Sequence, residues 1–206
     1  MKREHKLEQG YIDWLKSLGC VVYLPLSEGD LQDKISGNTL VVNNNRVTWD
    51  NNVGMYLFNA GSSSSSPAAT LQTICNSNTF ANGVMTIMGI VKRGSSLGTA
   101  AGGSSAWNEN CKGTNNNVTA DTRYWSDNVM KRATIIKTNP SKRLAYQDGI
   151  KILDDTYTPV IDSLIPLRLV AYSGWGITNA TIYEREVMFF NQELDLSTIK
   201  RIQGIE

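Results

Sequence analysis

Leu144-Ala145-Tyr146-Gln147-Asp148-Gly149-Ile150-Lys151-Ile152 is the stretch on which the fold turns. Asp148-Gly149 sits between two β-prone arms, and a two-residue Asp-Gly connection suits the type I′ turn, whose twist matches that of antiparallel strands. With Gln147 and Ile150 flanking the turn, Tyr146 faces Lys151 and Leu144 faces Leu153, while Ala145 and Ile152 share the opposite face. The hairpin therefore belongs to a larger sheet.

Working outward, residues 122–125 and 132–137 read as strands leading into the hairpin. Beyond it, residues 159–166 form a connection and 167–171 a strand, followed by a loop with Trp175 at its tip, between Gly174 and Gly176. Residues 180–190 are the longest strand, with Ile182, Glu184, Glu186, Met188 and Phe190 on one face and Tyr183, Arg185, Val187 and Phe189 on the other. Towards the N-terminus, residues 84–91 are nearly all apolar, as in a strand buried on both faces. Residues 20–26, 39–42, 47–49 and 55–58 are further short strands bounded by Gly, Asn or Asp, the pattern of an all-β sandwich or jelly roll. The serine run before Pro67 is a loop inside one domain, and residues 94–117, rich in Gly, Ser and Asn, hold one weak strand between two long loops.

Two helices flank the strands. Leu7, Tyr11, Leu15 and Leu18, with Trp14 beside them, form one apolar stripe ended by Gly19, and Asp195 or Ser197 caps a short helix bearing Leu196, Ile199 and Ile202 and ended by Gly204. The expected organisation is an N-terminal amphipathic helix over residues 1–19 and a single β-sandwich over 20–206. The stripe either packs on its own domain or meets a second copy, which makes a homo-oligomer through the helix an expectation to test.

A chain of 206 residues buries enough surface for one substantial core. Its net charge of +1 provides no global field for nucleic acid or an anionic membrane. A local basic window, Lys131, Arg132, Lys137, Lys142 and Arg143, reads as a charged rim that guards a sheet edge. Cys20, Cys75 and Cys111 are odd in number and far apart, which fits reduced, packed thiols and neither a disulfide framework nor a paired zinc site. Charges throughout the first twenty residues leave no secretory signal, and no run has the length of a membrane span. Synthesis in the cytoplasm is expected, with association with a virion, or an extracellular location after loss of a signal, as the exceptions.

The order and spacing of five motifs resemble the concanavalin A-like family, and within it the laminin-G-like or pentraxin-like jelly rolls. They are Tyr23-Leu24-Pro25-Leu26 with residues 33–38, Met55-Tyr56-Leu57-Phe58-Asn59, residues 85–92, Leu144-Ala145-Tyr146-Gln147-Asp148-Gly149-Ile150, and residues 180–194. The resemblance implies an all-β, two-sheet antiparallel jelly roll with about six or seven strands in each sheet. Activity follows from it only weakly, because the fold hosts lectins, glycan-binding modules, glycosidases and phage structural parts.

Residue chemistry narrows the functions. Glu193-Leu194-Asp195 begins like the paired-carboxylate motif of laminarinase-type glycosidases, but no second Glu follows. Glu184 and Glu186 share a strand face without an intervening Asp and read as solvated or salt-bridged surface charge. His5 is the single histidine and lies in the charged N-terminal segment, which argues against Ser-His-Asp or Cys-His catalysis in the body. No catalytic residue is expected, and no cofactor. Calcium at Asp30, Asp33, Asn38 and Asp148 is possible by ligand type but unsupported, since loop Asp and Asn commonly close turns. Aromatics remain as the handle, because sugars stack their C–H faces on indole and phenol rings. Trp175 is the first candidate, followed by Trp107, Trp125 and Tyr124, whereas Trp14 and Trp49 read as structural.

The first expectation is thus a non-catalytic recognition module that binds carbohydrate through loop aromatics. The alternative is a structural or assembly protein of a bacteriophage or prophage virion or tail, using the jelly roll for protein contacts, and a glycoside hydrolase stands third.

Overall fold

The computed structural model describes residues 9–42, 46–59, 69–75, 84–93, 106–111, 118–121, 130–138, 142–156, 165–169 and 181–205. Helix α1 (Gln9–Ser17) precedes strands β1 (Cys20–Leu24), β2 (Val41–Val42), β3 (Val47–Asp50), β4 (Met55–Asn59), β5 (Ala69–Cys75), β6 (Met85–Arg93) and β7 (Ala106–Cys111). They are followed by β8 (Val118–Asp121), β9 (Met130–Thr138), β10 (Lys142–Gln147), β11 (Ile150–Thr156), β12 (Ile165–Leu169), β13 (Thr181–Phe190) and α2 (Leu196–Gln203). All pairings are antiparallel: an eight-stranded sheet runs β11-β10-β9-β6-β13-β4-β3 with β1 also on β13, and a five-stranded sheet runs β2-β5-β12-β7-β8. The all-β two-sheet sandwich expected from the sequence is present, with the strands divided eight to five instead of evenly.

The hairpin occupies the edge of the large sheet. Asp148 and Gly149 have φ of 50° and 77°, the left-handed pair that a type I′ turn requires. Asp148 ties the turn to β9, its N–H donating to the Arg132 carbonyl at 2.9 Å and its Oδ1 accepting from the Arg132 N–H at 3.0 Å. Tyr146 faces Lys151 as expected, but a β-bulge follows at once, so that Ala145 opposes Leu153 and Leu144 opposes Asp154. The expected Leu144–Leu153 pair is therefore displaced by one residue, because the extra residue on β11 shifts every pairing beyond it.

β13 is the hub, with β6 along one side and both β1 and β4 along the other. On one face, Val22, Leu24, Phe58, Ile87, Val91, Val187 and Phe189 are fully buried between the sheets, as register places them together. On the other face, Tyr23, Met88, Met188 and Phe190 lie beneath α1 and α2, which contribute Leu15 and Ile199, with Tyr11, Trp14, Leu18, Leu144, Tyr146 and Ile202 at the margin. Covering both faces explains why β6 is apolar from Ile87 to Val91. The described part of the N-terminal stripe, Tyr11, Trp14, Leu15 and Leu18, thus faces its own domain. Gly19 follows α1 at φ 74°, a left-handed conformation that favours glycine, and a Cβ there would displace the Asn191 side chain.

α2 is held at both ends. Asp195 accepts from the Thr198 N–H at 2.9 Å as the N-cap, Gly204 closes the helix at φ 61°, and Arg132 Nε donates to the Gln203 carbonyl at 2.9 Å. Thr86, buried in β6, donates through its hydroxyl to the Gln192 carbonyl at 2.8 Å and accepts from the Leu194 N–H at 3.0 Å, seating the approach to the helix. Among the described residues, no helix is long and apolar enough to cross a membrane.

Candidate functional site

Connectivity singles out one end of the sandwich. Val42 of β2 pairs with Ala69, the first residue of β5, which also pairs with Leu169, the last of β12. In the large sheet, Asn59 pairs with Thr181, Arg93 with Ile182 and Lys92 with Met130, so the end of β4, the end of β6 and the starts of β9 and β13 are level. Five connections between described strands cross from one sheet to the other at this end: residues 43–46, 60–68, 94–105, 122–129 and 170–180.

The strand ends that flank the candidate aromatics in the chain are at this end. Trp107 is the second residue of β7, next to the 94–105 crossing and opposite Ala120 of β8, so its backbone is in a strand and not in a loop. Tyr124 and Trp125 belong to the crossing from β8 to β9, and Trp175 to the crossing from β12 to β13. These three lie outside the described residues, as do His5, the expected strand at residues 122–125 and the serine run. Trp14 and Trp49 have structural surroundings: Trp14 packs at the helix-covered core with the Arg201 guanidinium 4.9 Å from its ring centre, and Trp49 meets Tyr56 edge-on at 5.0 Å.

The carboxylates proposed as calcium ligands are engaged by the protein. Asp33 is 0% exposed, and it accepts from the backbone N–H groups of Tyr23 at 2.8 Å, Ile35 at 3.0 Å and Ser36 at 3.1 Å and from the Ser36 hydroxyl. Asp30 pairs with Lys34 at 2.6 Å and accepts from the Gln32 N–H at 3.0 Å. Desolvation pushes its carboxyl up, but the Lys34 and Gln32 hydrogen bonds and the Lys34 charge together outweigh it and hold the carboxyl below the ordinary range. Asp148 spends one oxygen on β9, as described.

Glu184 and Glu186 depart from expectation. A bulge in β13 sets Glu184 opposite Val91 and Glu186 opposite Ile90, so Arg185 is the extra residue and the two carboxylates lie on different faces. Glu184 is 0% exposed on the inter-sheet face, whereas Glu186 is recessed beneath α2 and accepts from the Tyr23 hydroxyl at 3.1 Å. The reading of both as surface charge is corrected by this burial. Separated by the sheet, they cannot flank one scissile bond.

Glu186 borders a small cavity, lined also by Met88, Ile90, Met188, Ile202 and Gln203, whose volume of about 10 Å³ suits a single water and not a sugar. Burial pushes the Glu186 carboxyl above the ordinary range, against the pull of the Tyr23 hydroxyl and of Arg185 and Arg132. Burial likewise pushes the Tyr11 and Tyr23 phenols and the Cys20 thiol up, so these neighbours stay protonated. The folded-state pKa of Glu186 thus exceeds its ordinary value of 4.5, and the folded protein retains a proton that the unfolded chain has lost. Stability therefore falls as pH rises from about 4.5 through the folded-state pKa, and the penalty is complete above it. Glu186→Gln should remove that component, gaining on the parent as pH is raised through this window. Parallel stability–pH curves for the two proteins would contradict the assignment.

No protein-family model and no curated protein matches the sequence. Solved structures do match the fold. The chain is similar to the binding domain of Paraclostridial Mosquitocidal Protein 1, with a TM-score of 0.65 and 14% identity over 89% of this chain and 51% of that one. It is similar to botulinum neurotoxin type C, in a structure concerning its interaction with two ganglioside molecules, at TM-score 0.61 and 10% identity over 93% of this chain and 53% of that one. It is also similar to Trypanosoma rangeli sialidase in complex with sialic acid, at TM-score 0.60 and 16% identity over 88% of this chain and 32% of that one. The chain spans about half the length of the toxin domains. At these identities the likeness is one of fold, an antiparallel β-sandwich.

Proposed function

We propose that this chain is a non-catalytic recognition module of laminin-G-like type that binds carbohydrate at the end of the sandwich where the five crossings meet. Trp175, Trp125 and Tyr124, with Trp107 at the head of β7, supply the stacking surfaces. The observation that carries this reading is that the strand ends flanking residues 122–129 and 170–180 lie at the same end of the sandwich as the start of β7, which bears Trp107. Support comes from similar structures, those of botulinum neurotoxin type C, whose cell entry depends on interaction with two ganglioside molecules, and of a sialidase in complex with sialic acid. Calcium has no part in the proposal, because Asp30, Asp33 and Asp148 already accept from protein donors.

A glycan array probed with the native chain and with Trp175→Ala tests it. Removing a stacking tryptophan should weaken binding on the order of 30-fold, the scale of an interface hot spot, and EDTA should leave the affinity unchanged. Absence of binding to any glycan would sink the carbohydrate reading. The occupant would then be a protein, as in the complex of a botulinum neurotoxin DC binding domain with rat synaptotagmin II or in a phage assembly.

A further inference from the structure

The last turn of α2 lies over a polar spot on the outer face of the large sheet. There Glu186 of β13, with Met88, Ile90 and Met188, borders the cavity of about 10 Å³ that Ile202 and Gln203, the last two residues of α2, close from above. The Glu186 carboxyl accepts from the Tyr23 hydroxyl at 3.1 Å, and Tyr23 is only 1% exposed. Arg132 of β9 grips the helix end, its Nε donating to the Gln203 carbonyl at 2.9 Å, while its own N–H and carbonyl are bonded to Asp148. Next to Asp148, a Cβ at Gly149 would meet Lys200 of α2 and Ile205 just beyond it. The end of α2, the hairpin turn and the start of β9 therefore meet beside one carboxyl.

A neutral carboxyl suits this place better than a carboxylate. The carbonyls that end a helix carry the negative end of its dipole, and Ile202 and Gln203 bring that end onto Glu186. Methionine and isoleucine side chains solvate no charge, and the cavity holds one water at most. Two cations stand near: Arg185, exposed at the bulge, and Arg132, whose Nε is taken by Gln203. The other ionisable groups here are Tyr11 of α1, edge-on to Tyr23 at 6.0 Å, Cys20 of β1, and Tyr146 of β10 at the margin. Lys200 is turned to Gly149 and Arg201 to Trp14, and β6 brings no charge to the cavity. Burial holds the Tyr11 and Tyr23 phenols and the Cys20 thiol protonated and moves the Glu186 titration up towards neutral pH.

We infer that Glu186 and Arg132 form a pH-sensitive latch on the end of α2. The latch is closed while Glu186 is protonated: Tyr23 donates to the carboxyl, and Arg132 holds the Gln203 carbonyl. An ionised carboxylate is a stronger acceptor for a guanidinium than a carbonyl is, so ionised Glu186 draws Arg132 from Gln203 and water towards the cavity. The last turn of α2 and Ile205 then lift, whereas the other end of the helix stays seated through Asp195 and Thr86. Lifting returns Glu186 to solvent and to its ordinary value of 4.5, so the closed form holds a proton that the open form has lost. Closure is therefore at full strength below about pH 4.5 and weakens as pH rises through the closed-state value.

Amide hydrogen exchange followed from pH 4.5 upwards reads the latch, with the intrinsic pH dependence of exchange divided out. The amides of Gly204 and Ile205, bonded to the Arg201 and Lys200 carbonyls, should lose protection close to tenfold per pH unit up to the closed-state value, because opening releases one proton. They should exchange faster than the amides of β4 at each pH. The Gly54 amide, bonded to the Asp50 carbonyl in the β3–β4 turn, should keep its protection throughout. Glu186→Gln should abolish the slope and hold the end of α2 closed. Arg132→Gln should lower the protection of Gly204 and Ile205 roughly tenfold or more at the acid end. Protection that does not change with pH in the native chain overturns the inference, as does a slope that persists in Glu186→Gln. Unchanged protection in a folded Arg132→Gln overturns it too, and protection equal to that of β4 at every pH would replace the latch with opening of the whole domain. If Arg132→Gln fails to fold, the native chain and Glu186→Gln carry the test.

Discussion

Asp33→Ala is expected to destabilise the protein by at least about 3 kcal/mol, a substantial part of the 5–15 kcal/mol typical of a domain. Asp33 is fully buried, and its carboxylate joins β1, through the Tyr23 N–H, to the turn that contains Ile35 and Ser36. Bonds to an ionised acceptor contribute about 1.5–3 kcal/mol each, and a buried N–H left without an acceptor costs about 1–3 kcal/mol. Its own backbone adds to the lock, the Asp33 N–H donating to the Asn38 carbonyl at 2.8 Å and the Lys34 N–H to the Tyr23 carbonyl at 2.8 Å. Asn at this position retains one acceptor but sets its amide against a backbone donor, so Asp33→Asn should fall between Asp33→Ala and the milder Ser36→Ala. Urea unfolding measures the order as shifts in midpoint at constant slope. A loss below about 0.5 kcal/mol for Asp33→Ala, the range of an ordinary surface substitution, would contradict the role.

Leu15→Ala should cost about 2–5 kcal/mol, the range for a large-to-small change in a packed core. Leu15 is 0% exposed and packs with Cys20, Tyr23, Met88, Met188, Phe190, Leu194 and Ile199. α1 has nine described residues, too few to hold a helix in water by local propensity, so its order depends on this docking. Losing the leucine both opens a cavity and loosens the cover over Tyr23 and Met188. Lys16→Ala, on the exposed side, should stay within about 0.5 kcal/mol. The same pair of variants addresses the N-terminal helix as an assembly device. If the stripe serves its own domain, Leu15→Ala lowers the unfolding midpoint without changing the mass in solution, whereas a drop in mass would show the helix joining copies.

Much of the local structure was legible in the sequence. Asp148-Gly149 announced its turn because few other residue pairs tolerate two successive positive φ values, 50° and 77° here. Gly19 and Gly204 marked both helix ends for the same reason, and both adopt the left-handed conformation. The apolar run of β6 signalled a strand covered on both sides, as the two clusters around it show. β5 was missed, since Ala69–Cys75 mixes Thr and Gln with its apolar residues and follows a serine-rich segment that reads as loop. Trp107 read as a loop residue because Ser, Asn and Glu surround it, yet β8 and β12 supply pairing that its own composition does not suggest.

For the candidate site, the sequence identified residue types and the fold supplied their grouping. Nothing in the order of residues brings level the strand ends that flank the segments with Trp125 and Trp175; strand pairings such as Ala69–Leu169 and Lys92–Met130 do. Equally, Glu184 and Glu186 alternate faultlessly in one dimension, and a single extra residue sends one into the core and the other beneath α2. Turns, caps and apolar runs were decided by the sequence itself, because backbone sterics and side-chain polarity act between near neighbours. The faces that side chains share, and hence which charges are buried and which aromatics and cations stand together, were decided by the tertiary structure, because register is set by hydrogen bonds between strands far apart in the chain.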